Sequence, residues 1–304
     1  MSLFTRAVVA ATDNPLSRKL VKGTPPGRML ARRFVAGDSL TEAVSVAESL
    51  NRSGLTVSLD LLGEEVTDRE TAESATEAYL GCIGAIEASG LDSNISIKLT
   101  QLGLAFDAGF AAEQLERLAT AAKTAGTTVT VDMEDSRYTE QTVDIYAASQ
   151  QAHGNLGICL QAYLFRTAED LARLMPLGGH IRLCKGAYLE PSTVAYQSRA
   201  EVEASFARLL EQLMSTEGVK PAVATHDDAL IELTRRLADR RSAPFEFQML
   251  YGVRTSLQAS LIEDGFPLRI YLPYGSEWYA YLTRRLAERP ANLMFLARAV
   301  FGRR

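Results

Sequence analysis

Eight short runs rich in Val, Ile and Leu recur along this chain, each separated from the next by a segment of helical period. No other feature constrains the fold as strongly. The runs are LTVSLDLL (55–62), ISIKLT (95–100), TTVTVDME (127–134), LGICLQAY (156–163), HIRLCKG (180–186), AVATHD (222–227), FEFQML (245–250) and LRIYLPYG (268–275). Stretches such as DRETAESATEAYLGCIGAIEAS and AAEQLERLATAAKTAG lie between them, with apolar residues at i, i+3 and i+4. Eight strand–helix units close a parallel (β/α)8 barrel of TIM type. Aliphatic strands are expected where helices cover such a sheet. The punctuation KGTPPGR at 22–28 sets residues 1–38 apart as an N-terminal helical segment and leaves 39–304 as a single barrel domain.

Composition removes several classes of function. A net charge of −5 gives no basic surface for nucleic acid. The longest apolar runs fall short of the roughly 20 residues that cross a bilayer. The start, MSLFTRAVVAATDN, lacks the apolar stretch and cleavage site of a signal peptide. Cys82, Cys159 and Cys184 form no CxxC pair and read as reduced, mostly buried thiols of a cytoplasmic protein. His153, His180 and His226 share no metal-ligand spacing, and no metal is expected. Neither GxGxxG nor GxxxxGK[ST] is present, so any nucleotide cofactor is held by the barrel itself.

Active sites of such barrels form at the C-terminal ends of the strands. Read that way, the rim offers Asp60, Lys98, Asp132, Gln161, Arg182, Lys185, Thr225, His226, Gln248 and Tyr271, a polar residue at nearly every strand end. In RLCKGAY (182–188), small Gly186 and Ala187 let the backbone approach a phosphate or a ring. For Lys185 the residues alone leave two readings, a ligand contact or a surface lysine beside a turn. For His226 the choice is between a ligand contact and a helix-start cap. Arg284 and Arg285, in YAYLTRRLAER, suit either a solvated helix end or a clamp straddling one partner.

Read together, ISIKLTQLG, VDMEDS, LQAY, IRLCKGAY, ATHD, FEFQMLYG and RIYLPYGSEWYAYLTRRLAE resemble, in order and spacing, the proline dehydrogenase family. The similarity runs from about residue 33 to the C-terminus and is to single-function bacterial members. It implies a (β/α)8 barrel with FAD at its C-terminal face and a C-terminal helix over the mouth. It also implies oxidation of L-proline to Δ1-pyrroline-5-carboxylate, with electrons passed to a membrane quinone. The protein would then touch the inner face of the cell membrane transiently and work beside pyrroline-5-carboxylate dehydrogenase.

The resemblance assigns Lys98, Asp132, Ala187, Tyr188, Leu250, Tyr271, Tyr281, Arg284 and Arg285 to the proline pocket. Met133, Gln161, Arg182, Lys185, Gly186, Ala187, Thr225, His226 and Glu288 fall at the FAD contacts. Asp132 and Arg182 take the catalytic positions, Asp132 orienting Lys98 and the arginines, and Arg182 lying against the flavin. The two arginines would flank the substrate carboxylate through charge-assisted pairs of hydrogen bonds. Hydride would pass from the ring carbon beside nitrogen to the flavin. Glu64 is placed to pair with an arginine of the last helix as a gate. Trp278 reads as packing. One departure is Asp227, where the family often carries Asn, and it bears on the adenine end. The alternatives are a lysine Schiff-base lyase using Lys98 or Lys185, a non-catalytic amino-acid sensor, and a divalent metal at DMEDS.

Overall fold

The structure, a computed structural model, describes residues 28–288 except Leu30 and Glu64; the side chains of residues 284–288 also lie outside the description. Most of the expected N-terminal segment therefore falls outside the described residues.

Each of the eight runs forms one strand: β1 (Thr56–Leu61), β2 (Ser93–Ile97), β3 (Val129–Val131), β4 (Leu156–Gln161), β5 (His180–Cys184), β6 (Lys220–Ala224), β7 (Glu246–Leu250) and β8 (Leu268–Tyr274). Every strand pairs in parallel with the next, and β8 returns to β1 from Thr56↔Arg269 to Leu61↔Tyr274, closing the barrel. Seven helices connect the strands: α2 (Arg69–Ser89), α3 (Ala108–Thr124), α4 (Thr139–His153), α5 (Thr167–Leu174), α6 (Arg199–Ser215), α7 (Asp228–Ala238) and α8 (Thr255–Glu263). Before them comes α1 (Leu40–Arg52), and α9 (Trp278–Glu288) follows β8.

Local chemistry sets the helix ends. Ser39 and Glu42 form a reciprocal capping box at α1, as Ser198 and Glu201 do at α6. Asp68 and Asp107 cap α2 and α3. Helix α1 packs on both β1 and β8, the place a helix following β8 would otherwise take. With that place filled, α9 lies over the mouth. Trp278, Tyr279, Tyr281 and Leu282 pack there in one cluster with Ala31, Phe34, Val35 and Leu62, so Trp278 is a packing residue.

The strands are rich in Val, Ile and Leu as expected, but these alternate with polar residues. Val57, Leu59, Ile95, Ile97, Val129 and Val131 belong to the main apolar core that includes the helices. The residues between them, Ser58, Asp60, Asn94, Ser96, Thr130 and Asp132, are buried and polar. Their partners come from other strands. Ser58 Oγ donates to Asn94, the Asn94 amide donates to Thr130 at 3.0 Å, and Thr130 Oγ1 lies 3.0 Å from His180 Nε2. The barrel interior is thus a hydrogen-bonded polar column, and burial is tolerated because its members partner one another.

Gly252 ties the outer segment to the barrel. It has φ 71°, and a Cβ there would be driven into the Arg33 carbonyl oxygen. Gly218, with φ 83°, serves as the control, since a Cβ there would meet nothing within 4 Å. Gly218→Ala should cost only the left-handed backbone penalty of about 1–2 kcal/mol. Gly252→Ala should cost that and more, because the Arg33 backbone must move to admit the methyl group. Urea unfolding of both variants measures the difference; equal losses would show that this close approach contributes nothing.

Candidate active site at the barrel mouth

The strand ends open into a cavity of about 1170 Å³, roofed by Ala280 and Tyr281 of α9 and walled by the segments after β1, β5, β6 and β7. Ligand sites commonly occupy roughly 300–1,000 Å³, so a single small amino acid would leave most of this space empty.

Arg182 dominates the floor. It sits at the centre of β5, not at its end, and is 4% exposed. Its Nη1 donates to Asp132 and, at 3.0 Å, to Ser96 Oγ, while Nε donates to Gln248 Oε1. The guanidinium carbon lies 5.1 Å from the Tyr271 ring centroid. Nη2 is buried without a hydrogen-bond partner among the described residues. A buried donor left unmet costs about 1–3 kcal/mol, so this edge of the guanidinium is suited to an acceptor brought by a ligand.

Beside it, Lys98 Nζ lies 2.9 Å from Asp60 and 3.7 Å from Asp132. Ser96 Oγ donates to Asp132 Oδ1 at 2.8 Å, and Tyr271 Oη donates to Asp132 Oδ2 at 2.6 Å. Two carboxylates and two cations thus share one buried cluster. Burial works against the Lys98 ammonium, but Asp60 and Asp132 outweigh it and hold its pKa above the ordinary value. Burial pushes the Asp60 carboxyl up, and Lys98 opposes that. The Tyr271 hydroxyl is raised well above its usual range by burial and by Asp132, so it remains a donor. A Schiff-base lysine needs its pKa lowered. Lys98 is driven the other way.

The second group of residues lines the cavity rim. Gln161 Nε2 donates to the Glu134 carbonyl at 2.7 Å, and its Oε1 accepts from Ala187 N at 3.1 Å. Gly186 has φ 123°, and any Cβ there would strike the Tyr163 ring, so the turn beneath Ala187 requires glycine. Lys185 Nζ is 2.8 Å from Glu203 and 3.0 Å from Asp227. The residue capping α7 is Asp227, which accepts from Ala229 N at 3.0 Å; His226 is not the cap. His226 Nε2 instead accepts from Leu250 N at 3.3 Å. Asp227 also meets Arg199 at 3.0 Å. Burial opposes its charge, yet Lys185 and the helix amides bring its pKa down to about 2.

The cavity therefore gathers Lys98, Asp132, Met133, Gln161, Arg182, Lys185, Gly186, Ala187, Tyr188, Thr225, His226, Leu250, Tyr271 and Tyr281 along one wall or another. Arg284, Arg285 and Glu288 lie on α9, but their side chains are outside the described residues, as is Glu64. No group of three or more His, Cys, Asp or Glu suited to a metal occurs among the described residues.

Several features escape sequence reading. Asp60 is legible on the rim, but not as the nearer partner of Lys98. Arg254 lines the cavity with φ 51°, donates to the His226 carbonyl at 2.7 Å and pairs with Asp228 at 2.7 Å; its loop carries no signal for this. Cys159 and Cys184, far apart in sequence, bring their sulfurs to 3.6 Å because β4 and β5 are neighbours. Both are free thiols. Ser96 could have been found, since Asn94, Ser96 and Lys98 alternate with Ile95 and Ile97.

The family model for proline dehydrogenase matches residues 43–298. Proline dehydrogenase 1 of Bacillus subtilis subsp. natto is 42% identical over 277 residues, covering 90% of this chain and 91% of the relative. The proline dehydrogenase of Deinococcus radiodurans is 36% identical over 306 residues, covering 98% of both chains. Among solved structures, proline utilization A from Bdellovibrio bacteriovorus superposes with a TM-score of 0.81 at 23% identity. That match covers 86% of this chain and 32% of the other, and it bears on the fold alone.

Proposed function

Because the chain belongs to the proline dehydrogenase family, we propose that it oxidises L-proline to Δ1-pyrroline-5-carboxylate using bound FAD, with a membrane quinone as the final acceptor. The observation that carries this reading is the Nη2 edge of Arg182, a buried donor awaiting an acceptor beneath a cavity too large for proline alone. The residues present fit FAD. Arg182 would offer its free edge to the flavin ring, and Met133, Gln161, Lys185, Gly186, Ala187, Thr225 and His226, which line the same cavity, would hold the rest of the cofactor together with Glu288 of α9. Bound FAD supplies the ring that accepts hydride from the carbon beside the proline nitrogen.

The protein's own residues bind and orient. Tyr281 lines the cavity from α9, and positions 284 and 285 lie three and four residues further along the helix, on the same face. This supports Arg284 and Arg285 as the carboxylate clamp. Tyr188, Leu250, Tyr271 and Ala187 enclose the ring. Lys98 remains an ammonium, so it orders Asp60 and Asp132 and does not receive the amine proton. Glu64 follows Leu62 and Gly63, both at the cavity, which supports its role as a gate.

Among the described residues no helix is long and apolar enough to cross a membrane. The quinone encounter is therefore proposed as a peripheral contact at the inner membrane face. The product would be consumed by pyrroline-5-carboxylate dehydrogenase.

Arg284→Ala and Arg285→Ala should each keep FAD and raise the proline KM about ten- to a hundred-fold, the scale of one charged hydrogen bond. Steady-state assays with an artificial electron acceptor check this, with pyrrolidine as the substrate lacking a carboxylate. Parental saturation in both variants, or equal turnover of pyrrolidine and proline, would remove the clamp from the account.

A further inference from the structure

We propose that Gln248 is a positioning residue that holds the Arg182 guanidinium in register, and that Glu246 sets the direction of the Gln248 amide from the barrel floor. The inference rests on the reading that the free edge of Arg182 serves bound FAD.

A chain of side-chain contacts runs down the inside of β7. Arg182 Nε donates to Gln248 Oε1. Gln248 Nε2 donates to Glu246 Oε1 at 2.7 Å. Arg269 Nε donates to the same oxygen at 2.8 Å, and Lys220 Nζ lies 2.7 Å from the other carboxylate oxygen. Gln248 is 3% exposed and Glu246 4%, so water does not compete for either.

An amide has one accepting end and one donating end. Arginine only donates and an ionised carboxylate only accepts, so the two neighbours admit a single orientation. Burial works against the Glu246 charge, but Arg269 and Lys220 outweigh it and keep its pKa below the ordinary value. A charged acceptor at one end of an amide polarises it, and the acceptor at the other end is strengthened.

The sheet register explains why Arg182 reaches Gln248 at all. Between β5 and β7 lies β6, whose residues paired with Arg182 and Gln248 are Ala222 and Ala224. These small side chains leave a gap that the arginine spans. Gln248 then fixes Nε, while Ser96 and Asp132 fix Nη1. Two edges of a rigid plane are committed, and the third is aimed by them.

The test is a double-mutant cycle on the FAD-loaded enzyme. Gln248→Met keeps the volume and removes the strong acceptor. It should slow proline-driven flavin reduction about ten- to a hundred-fold, lower the flavin potential and leave the proline KM near that of the parent. In an Arg182→Ala background the same change should have no further effect on rate or potential. Glu246→Gln, which leaves Gln248 in place but no longer orients it, should act in the same direction by less and should also vanish in that background. It supplies the cycle if Gln248→Met does not fold. Additive losses, or a parental potential in both variants, would overturn the proposal. A parent enzyme that proline does not reduce would count against the assigned activity instead.

Discussion

Replacing Arg182 by alanine is expected to slow proline-driven flavin reduction roughly ten- to a thousand-fold and to lower the flavin reduction potential, while the barrel still folds. Reduction adds negative charge to the cofactor. A fixed guanidinium beside it stabilises that state more than the oxidised one, and also the transition state as charge develops. The pre-organisation is visible in the protein alone: Arg182 is 4% exposed and held on Nε and Nη1 by Gln248, Ser96 and Asp132. Arg182→Lys should restore only part of the rate, because an ammonium cannot hold three partners in a plane. The competing account makes the Arg182–Asp132 pair purely structural. It expects lost stability with an unchanged potential, so potentiometry beside stopped-flow reduction separates the two.

Lys98→Met is expected to have the largest effect on stability. Lys98 is the cation for Asp60, whose side chain is 1% exposed, and the nearer of its two carboxylates. Removing one partner of a buried pair costs about 3–5 kcal/mol. The sign of the pH dependence follows from Asp60. Burial already raises its folded pKa, and loss of Lys98 raises it further above the unfolded value of about 3.9. A carboxyl raised in the folded state contributes stability below the unfolded value and loses it as pH rises through the folded one. The deficit of Lys98→Met against the parent should therefore be smaller at about pH 5 than at about pH 8. Urea unfolding at both values reads this, and Asp60→Asn in the Lys98→Met background should recover much of the loss. The same deficit at both pH values would mean that no buried carboxylate is exposed to repulsion.

The eight strands are legible because each run is short, aliphatic and bounded by helical period. The rim is legible because polar residues recur near the strand ends. What sequence alone does not show depends on closure. The alternation of Val57 and Leu59 with Ser58 and Asp60 is visible in the sequence, but not that the polar set faces the interior of a closed barrel. Only the register of a closed sheet brings Arg182 to Ser96, Asp132, Gln248 and Tyr271, four residues on or just beyond four other strands. The same closure joins Cys159 to Cys184. The departure at Asp227 is visible, but not its consequence: an acidic cap on α7 that also binds Lys185 and Arg199. The place of α9 follows from α1, which occupies the outer ring beside β1 and β8. No local pattern announces that exchange.

This cavity is proposed to hold FAD, and proline to reduce it. An anaerobic visible spectrum of the purified, FAD-loaded protein before and after addition of L-proline tests it most directly. The expected result is oxidised-flavin absorbance that proline bleaches and pyrrolidine does not. FAD-loaded protein whose spectrum proline leaves unchanged, or folded protein that retains no flavin when supplied with FAD, would contradict it.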